Sequence, residues 1–389
     1  MPRTTGTYRT TIVGSERVRA FLPRTLPPRN PPLRVEGSLA EFHAAAVAAV
    51  GRLGVAGTMV PSRDWFLYGF VRKEAVISSQ IEGTQATLED VIAYETTQQT
   101  DRPTDVREVC NYVEALGLAR DEIARPGGLP LCTRLLCKAH ERLMQGARGA
   151  DKQPGVIRTS QNWIGGTRPG NARFVPPPAD AVPEALGRLE RWIHAKDRLP
   201  PLVRAGLAHV QFETIHPFLD GNGRIGRLLI ALLVEHWGLL SSPLLYLSVA
   251  FKRHQQQYYR RLTEVRTRGD WEGWTAFFLR CVTEAADDGV EAARRLFELL
   301  GRDRQNVLRH AAATLSAVRL FDLLPEHPMV TLSSVMELLE TTKPTASKAI
   351  DALCQAGVLR EITGRRRDRV YAYRAYLSVL AEDTDQPQD

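Results

Sequence analysis

The chain has 389 residues, of which 43% are hydrophobic and 24% are charged, with a formal net charge of +7. These values are typical of an ordinary globular protein with two or three domains, and the mild basicity permits binding to phosphates or nucleic acid without demanding it. Five widely spaced cysteines exclude a disulfide framework, and neither a signal peptide nor a membrane-length apolar run is present, so the sequence predicts a cytoplasmic protein with no membrane partner.

The first 105 residues are predicted to form an N-terminal region with two parts. Residues 1–36 are rich in Pro, Arg and Thr and predict an extended arm, partly in polyproline II conformation. Helical periodicity begins at about residue 39 and returns in segment 65–83. A capping-box pattern over Thr87–Asp90 marks the start of a third helix.

Residues 106–295 are predicted to form a helical bundle with one interruption. Segment 158–180 carries β-favouring residues, glycines and three consecutive prolines, which predict a short hairpin or flap. Two helices that are apolar on nearly every side flank segment 216–227, so both are expected at the centre of the bundle.

Residues 296–377 are predicted to form a winged helix-turn-helix domain. The pattern indicates a strand, two helices and two further strands, with Lys343–Gln355 as the recognition helix and Gly364–Asp368 as the wing tip. Residues 378–389 are acidic and polar and predict a disordered tail. The predicted fold class is therefore mainly α, a bundle with a hairpin flap followed by a winged helix.

The segment HPFLDGNGRIGR, residues 216–227, carries the most distinctive chemistry of the chain. Pro217 disfavours the α region for His216, so the preceding helix should end there and present the imidazole. The glycines of DGNG allow positive φ angles and an anion-binding nest, and a helix starting at about Gly223 adds its positive dipole end. Arg224 and Arg227 project from one face of its first turn. Such a loop is suited to a polyphosphate.

Asp220 would repel phosphate unless a cation lies between them, and Mg²⁺ is the cation that one carboxylate and phosphate oxygens usually hold. His216, with an ordinary pKa of about 6.5, is the natural base beside an electrophilic phosphorus. The constellation predicts nucleotidyl or phosphoryl transfer to a hydroxyl. The plainer interpretation is a tight turn between core helices, with solvated arginines and a histidine that only caps the helix.

HPFLDGNGRIGR resembles the signature of the Fic family, whose members mostly transfer AMP from ATP to a Ser, Thr or Tyr hydroxyl of a protein. The resemblance extends over roughly residues 60–290. It implies that His216 deprotonates the target hydroxyl, that Asp220 holds Mg²⁺ and that Phe218 packs beneath the loop. The nucleotide-binding positions that it implies are Phe218, Gly221, Asn222, Gly223, Arg224, Ile225, Gly226, Arg227 and Tyr258.

Three further expectations follow from the resemblance. Relatives called Doc carry a lysine where this chain has Gly223 and transfer phosphate, so the glycine favours AMP transfer. Segment 158–180 would align a target peptide by main-chain pairing. Segment 245–262 would close the adenine pocket through Tyr258, although simple core packing of Tyr258 and Tyr259 is equally open.

The stretch SSQIEG, residues 78–83, resembles the inhibitory motif of Fic proteins through Ser78, Glu82 and Gly83. Glu82 at the C-terminal end of a helix is unfavourable for the helix dipole, which invites a partner elsewhere. The resemblance implies an ion pair with Arg227 that denies ATP its clamp, and Glu82 could also assist removal of AMP. Without that context, a solvated glutamate is the plainer interpretation.

The arginine-rich turn of the winged helix predicts contact with DNA phosphates. The alternative uses of such a domain are dimerisation, giving a homodimer, or docking of a target protein. A rival for the whole chain is a DNA-binding regulator whose Fic core senses nucleotide, and another is a Fic enzyme with a different nucleotide donor. The candidate DNA contacts are Lys343, Thr345, Ser347, Lys348, Arg365, Arg366 and Arg367.

Overall fold

The computed structural model describes residues 3–59 and 63–384. In these ranges the helices are α1 (Ser38–Met59), α2 (Arg63–Ile81), α3 (Leu88–Thr97), α4 (Pro103–Ala124), α5 (Thr133–Leu143), α6 (Val182–His194), α7 (Pro201–Ile215), α8 (Asn222–His236), α9 (Ser248–Arg253), α10 (Gln255–Arg268), α11 (Trp271–Arg309), α12 (Leu315–Leu323), α13 (Leu332–Leu338), α14 (Lys343–Gln355) and α15 (Arg374–Leu380). The strands are β1 (Gly6–Val13), β2 (Glu16–Pro23), β3 (Met329–Thr331), β4 (Arg360–Glu361) and β5 (Val370–Ala372). The mainly helical fold class is confirmed.

The chain divides into two compact units, each built from two separate stretches of sequence. The first unit contains residues 1–51 and 111–286, and the second unit contains residues 52–110 and 287–389, as far as these residues are described. The sequence suggested domains that follow one another along the chain. The structure instead groups α2 and α3, from the N-terminal region, with the C-terminal elements.

Residues 6–23 of the N-terminal arm form a β-hairpin, so the prediction of a polyproline arm is wrong for this part. β1 and β2 pair antiparallel from Gly6 opposite Pro23 to Val13 opposite Glu16. The two-residue connection begins with Gly14, whose φ of +63° suits a tight hairpin turn. Main-chain pairing thus takes the place of a solvated polyproline backbone.

The core of the first unit lies around α7 and α8, as the sequence predicts. Every residue of α7 from Leu202 to Ile215 is buried. In α8 the buried positions continue to Val234. Gly206 of α7 is packed so closely that an added Cβ would lie 2.8 Å from the ring of Phe278. These two central helices hold segment 216–221 between them.

In the second unit, the C-terminal elements follow the predicted order of strand, helix, helix, strand and strand. The three-stranded sheet has the order β3-β5-β4 with antiparallel pairs. The predicted capping box at α3 is confirmed, because Thr87 Oγ1 accepts from Asp90 N and Asp90 Oδ2 accepts from Thr87 N.

The predicted disordered tail over residues 378–389 is wrong for its described part. Ser378–Leu380 complete α15, in which Tyr376, Leu377 and Leu380 are buried. Thr384 is fully buried, and its carbonyl accepts from Gln80 Nε2 at 2.7 Å. Residues 385–389 lie outside the described ranges. Apolar contacts that composition alone does not reveal fix this segment on α2.

One helical stretch of the described chain, Ser38–Thr58, is long and apolar enough to cross a membrane by length and composition, with 28% of its most apolar window buried. Helices of soluble proteins pass the same test, so this stretch alone is weak evidence for a membrane span.

Candidate active site

His216 lies at the C-terminal end of α7, where the sequence places it. The helix ends at Ile215, and His216 adopts a left-handed backbone with φ 50° and ψ 64°. Its N–H still donates to Phe212 O at 2.9 Å. Burial, together with the nearby cations Arg266 and Arg158, lowers the pKa of His216 to about 3. The imidazole is therefore neutral at pH 7, the state in which it can accept a proton.

Arg158 supports the His216 backbone by hydrogen bonding, and the sequence did not predict this role. Its side chain donates from Nε to His216 O at 2.8 Å and from Nη2 to Pro177 O at 2.6 Å, while its backbone N–H donates to Pro217 O at 2.9 Å. The residue is 1% exposed. A buried guanidinium thereby satisfies carbonyl groups that the end of α7 and the turn after it leave open.

His140 fixes the next part of the loop, and sequence reasoning also missed it. Its ring stacks on Phe218 with centroids 3.8 Å apart and planes at 4°. Nδ1 accepts from Gly155 N at 2.9 Å, so the proton resides on Nε2, which donates to Asp220 O at 3.0 Å. Burial lowers the pKa of His140 to about 4, which keeps this tautomer neutral. Phe218 is 1% exposed beneath the loop.

Asp220 presents its carboxylate at the mouth of the loop. Its side chain is 45% exposed, lies 3.9 Å from Arg224 Nη2, and uses Oδ1 to accept from Gly221 N at 2.6 Å. Gly149, with φ of +81°, packs closely against this carboxylate, since an added Cβ would lie 2.6 Å from Oδ2. An accessible carboxylate of this kind can bind a hard cation.

The turn before α8 differs from the predicted nest in two details. Gly221 has a φ of +74°, but Gly223 is part of the first turn of α8, which begins one residue earlier, at Asn222. The Asn222 amide does not point outwards: Oδ1 accepts from Phe218 N at 2.9 Å and Nδ2 donates to Phe218 O at 2.8 Å. The Asn222 amide thus closes the turn, and the contact of Asn222 with nucleotide stays a prediction.

Arg224 and Arg227 are not solvated, so the plainer interpretation of the loop fails. They are 2% and 3% exposed, respectively. Both are carried by the first turns of α8, whose leading N–H groups have no acceptor within the helix. Two buried cations beside helix N–H donors favour an anionic ligand.

Ile225 and Gly226, also predicted to contact nucleotide, have packing roles. Ile225 is fully buried. A Cβ added at Gly226 would lie 2.4 Å from Glu213 Oε1, and Gly226 O is 2.9 Å from His209 Nδ1. These positions let α7 and α8 approach closely, and their contact with nucleotide stays a prediction.

Tyr258 is a core residue, so the prediction that it contacts adenine is wrong. Its hydroxyl lies 2.8 Å from His209 Nε2, and its ring stacks on Phe251 at 4.7 Å. The side chain is 1% exposed. The neighbouring Tyr259 is 45% exposed.

The predicted flap is a short hairpin held by one isolated bridge between Ile164 and Phe174. The Ile164 N–H donates to Phe174 O at 2.8 Å and the Phe174 N–H donates back at 3.2 Å. β2 adds to the second arm, because Phe21 N donates to Val175 O at 2.9 Å. The pairing of a target peptide with this flap stays a prediction.

The predicted inhibitory residues lie in the second unit, at the end of α2. Ser78 is fully buried in the helix. Gly83 has a φ of +95° and, like Glu82, is exposed. The turn is fastened by Thr84 Oγ1, which donates to Glu108 Oε2 at 2.8 Å. Arg227 belongs to the first unit, and its pairing with Glu82 stays a prediction.

Five of the seven predicted DNA contacts line one groove of the second unit. Thr345 and Lys348 lie on α14 outside this lining. The residues of the predicted set in the groove are Lys343, Ser347, Arg365, Arg366 and Arg367.

Two family models match the chain. The Fic/DOC family N-terminal model matches residues 41–121, and the Fic/DOC family model matches residues 130–234, which include the loop described above. The chain therefore contains a Fic/DOC family N-terminal domain and a Fic/DOC family domain. The probable protein adenylyltransferase of Aquifex aeolicus (strain VF5) is 30% identical over 204 residues, 51% of this chain and 56% of that protein. The protein adenylyltransferase Fic of Drosophila melanogaster is 30% identical over 135 residues, 34% of this chain and 25% of that protein.

Solved structures confirm the Fic fold. A Fic family protein from Desulfovibrio desulfuricans G20 has a TM-score of 0.58 and 23% identity, covering 88% of this chain and 98% of its own. A Fic-1 fragment from C. elegans has a TM-score of 0.51 and 21% identity, covering 67% of this chain and 74% of its own. The chain spans 56% of the length of the Aquifex protein and 25% of the length of the Drosophila protein.

Proposed function

We propose that this Fic protein is an autoinhibited protein adenylyltransferase that moves AMP from ATP to a hydroxyl side chain of a target protein and of itself. The observation that carries the proposal is the neutral His216, fixed in a left-handed backbone beside the N-terminal turn of α8 and its two buried arginines. The names of the relatives in Aquifex and Drosophila support the same activity.

His216 would act as the general base. A neutral imidazole can take the proton of the target hydroxyl while the hydroxyl oxygen bonds to the α-phosphorus and pyrophosphate leaves with the electrons of the broken P–O bond. The cations Arg158 and Arg266 depress the pKa of His216. A bound polyphosphate would offset these charges, so the imidazole becomes a stronger base when the substrate is present.

Phosphate recognition would combine backbone and side-chain donors. The Gly223 N–H and the buried guanidinium groups of Arg224 and Arg227 lie on the first turns of α8. The Gly221 N–H, directly before the helix, would have to leave Asp220 Oδ1 to join them. Because Arg224 and Arg227 are already desolvated, little of their hydration must be removed when phosphate binds.

Asp220 fits a magnesium ion. Its side chain is 45% exposed, and one carboxylate with phosphate oxygens and water is the usual set for Mg²⁺. When bound, the ion would neutralise phosphate charge, and Asp220 would fix its position. The Asp220 backbone, held by His140, sets where that carboxylate points.

Glu82 would act as a brake by pairing with Arg227 and denying the γ-phosphate its clamp. A bidentate pair of this type gives a switch with two defined states. The exposed position of Glu82 after the end of α2 supports access to a partner. The same carboxylate could also assist hydrolytic removal of AMP, which would make Glu82 bifunctional.

The target would present its hydroxyl on an extended peptide along residues 161–164 of the flap, and we expect the cytoplasm as the site of action. The described cysteines are all free thiols, which suits a reducing compartment. UTP as donor, phosphate transfer, and a regulator that only senses nucleotide are the competing functions.

The test is self-labelling with each labelled nucleoside triphosphate, followed by mass measurement of the adduct. Glu82→Gly should raise AMP labelling about tenfold or more, the range of coupling free energies in regulated proteins. Adding His216→Ala should lower that labelling at least about 100-fold, as loss of a general base does. Glu340→Gly is the matched control, since Glu340 is also an exposed glutamate, with φ of +48°.

Equal labelling of the wild type, Glu82→Gly and the double variant would reject the enzyme and leave the nucleotide-sensing regulator. An adduct with the mass of UMP or of one phosphate would reject the donor assignment alone.

A further inference from the structure

The second unit contains an open groove of about 930 Å³ that the proposed transferase chemistry does not use. Four elements form its walls: α13, the N-terminal half of α14, the turn between β4 and β5, and the C-terminal end of α3 with the residues that follow it. The first three belong to the C-terminal part of the chain. The α3 wall consists of residues 96–99, more than two hundred positions earlier.

The groove is strongly basic. Five cationic side chains and one carboxylate, that of Asp368, line it. All of the arginines are exposed, as is Lys343 at the start of α14. Exposed charges of one sign that line the same groove create an electrostatic field that attracts an extended polyanion. The cationic residues are Lys343, Arg365, Arg366, Arg367 and Arg369.

The arginine turn has a defined shape. Glu361 accepts from the backbone N–H groups of Thr363 at 2.8 Å and Gly364 at 3.0 Å. At the other end, Arg369 Nε donates to Arg365 O at 2.9 Å, and Ile362 N donates to Val370 O at 3.0 Å. The hydrogen bonds hold the backbone of the turn, so little backbone entropy is lost when the arginines bind a ligand.

The α3 wall is fixed to the C-terminal sheet. Thr96 Oγ1 lies 3.3 Å from Met329 O of β3, and Glu95 is held by Arg72 Nε at 2.9 Å. Thr97 and Gln99 line the groove together with the residues of the arginine turn. The wall is uncharged, so a backbone phosphate can pass it without repulsion while the Gln99 amide offers a donor.

We propose that this groove binds the phosphate backbone of duplex DNA, with the end of α3 as part of the site. Its cations are spread over a helix and a β-turn, as in proteins that lay such elements along a duplex, rather than gathered around one small anion. Because Thr345 and Lys348 lie outside the lining, backbone contacts outweigh base contacts and sequence preference is weak. This inference is independent of adenylyl transfer.

The test measures the anisotropy of a labelled short duplex titrated with the full chain at several salt concentrations. Binding should weaken steeply with salt, and Arg366→Gln with Arg367→Gln should lower the slope of log K against log salt by about two, one per phosphate contact. The control is Arg309→Gln with Arg319→Gln, which removes the same charge from exposed residues of α11 and α12 and should leave the slope unchanged.

A second variant tests the α3 wall. Gln99→Glu should weaken duplex binding about tenfold by placing a negative charge in the groove, whereas Gln305→Glu, at an exposed position of α11, should have no such effect. Binding that is insensitive to salt, unchanged in the double arginine variant, or matched by single-stranded DNA of equal length would overturn the proposal. Equal affinity of Gln99→Glu and Gln305→Glu would remove α3 from the site.

Discussion

Arg158 is the residue on which the active-site loop depends most for its shape. Its guanidinium and backbone N–H together serve the carbonyls of His216, Pro217, Ser160 and Pro177. Desolvation lowers its pKa to about 10, so it still carries its charge at pH 7. A charged donor enclosed by carbonyl oxygens stabilises the turn only while all of them remain in place.

We expect Arg158→Met to lower the free energy of unfolding by at least about 3 kcal/mol, since several buried carbonyls would lose their donor. Self-labelling should fall with it, because His216 loses its backbone support. Arg173→Met, at an exposed position of the flap, should change stability by no more than about 0.5 kcal/mol. Chemical denaturation of both variants is the measurement, and equal effects would show that Arg158 is not a special support.

The site could be predicted from sequence where its residues are consecutive. His216, Asp220, Arg224 and Arg227 are readable because a proline, a glycine turn and a helix start constrain them within twelve positions. Arg158 could not be predicted, because it donates to main-chain carbonyls, among them that of His216, 58 residues away. Every residue type carries such a carbonyl, so the sequence gives no signal for the contact.

Tyr258 shows the opposite failure, and Asn222 shows the same ambiguity of residue type. An amide or a phenol suits both a ligand and an internal hydrogen bond, and only the positions of Phe218 and His209 decide between them.

At the scale of elements, the close approach of α7 and α8 depends on Gly226. A Cβ there would lie 2.4 Å from Glu213 Oε1 and 3.2 Å from His209 Cε1. The same contact region carries the bond from His209 to Gly226 O. A methyl group would therefore have to push apart two helices whose facing residues are buried on both sides.

Gly226→Ala should cost about 1–3 kcal/mol of stability through overpacking. Gly117→Ala is the matched control, because Gly117 lies within α4 with nothing within 4 Å of the added Cβ. That change should be neutral or stabilise by up to about 1 kcal/mol through helix propensity. Thermal unfolding of the two variants separates steric conflict from the loss of a glycine. A Gly226→Ala protein as stable as the wild type would contradict the packing role.

The helices were predictable because long periodic patterns and the Thr87–Asp90 capping box are local signals. The hairpin of β1 and β2 was missed although a signal exists. Gly14-Ser15 separates two stretches that pair residue by residue, and a two-residue turn with glycine is typical of hairpins. The prolines after residue 22 drew the interpretation towards polyproline instead.

At the scale of the whole molecule, buried neutral histidines make stability depend on pH. Burial lowers the pKa of His209 to about 3 and that of His140 to about 4. Both folded values lie below the ordinary 6.5, so the unfolded chain binds more protons at acidic pH. Their contribution is complete above pH 6.5 and is lost as the pH falls towards 4 and 3.

Each of these histidines should steepen the loss of unfolding free energy by up to about 1.4 kcal/mol per pH unit below pH 6.5. His209→Gln should flatten the curve by that amount, whatever its effect at pH 7. Urea unfolding followed by tryptophan fluorescence measures the slope, because Trp274 lies beside His209 at 5.9 Å. Parallel curves for the wild type and the variant would contradict the buried neutral state.

The division into two units was beyond the sequence. Contacts such as Thr96 to Met329 and Arg374 to Glu89 join residues more than two hundred positions apart. Periodicity reports which face of a helix is apolar, but it does not report which distant segment covers that face.

The anchoring of residues 382–384 has a practical consequence. Gln80 Nε2 holds Thr384 O at 2.7 Å, Lys73 lies 3.8 Å from Asp383, and Arg295 pairs with Glu382 at 2.7 Å. Gln80 is two residues before Glu82, so a purification tag or reporter fused after this segment would bear on the helix that carries the proposed brake. The position of a tag can therefore change the rate measured in an activity assay. N-terminally and C-terminally tagged preparations should first be compared with the untagged protein.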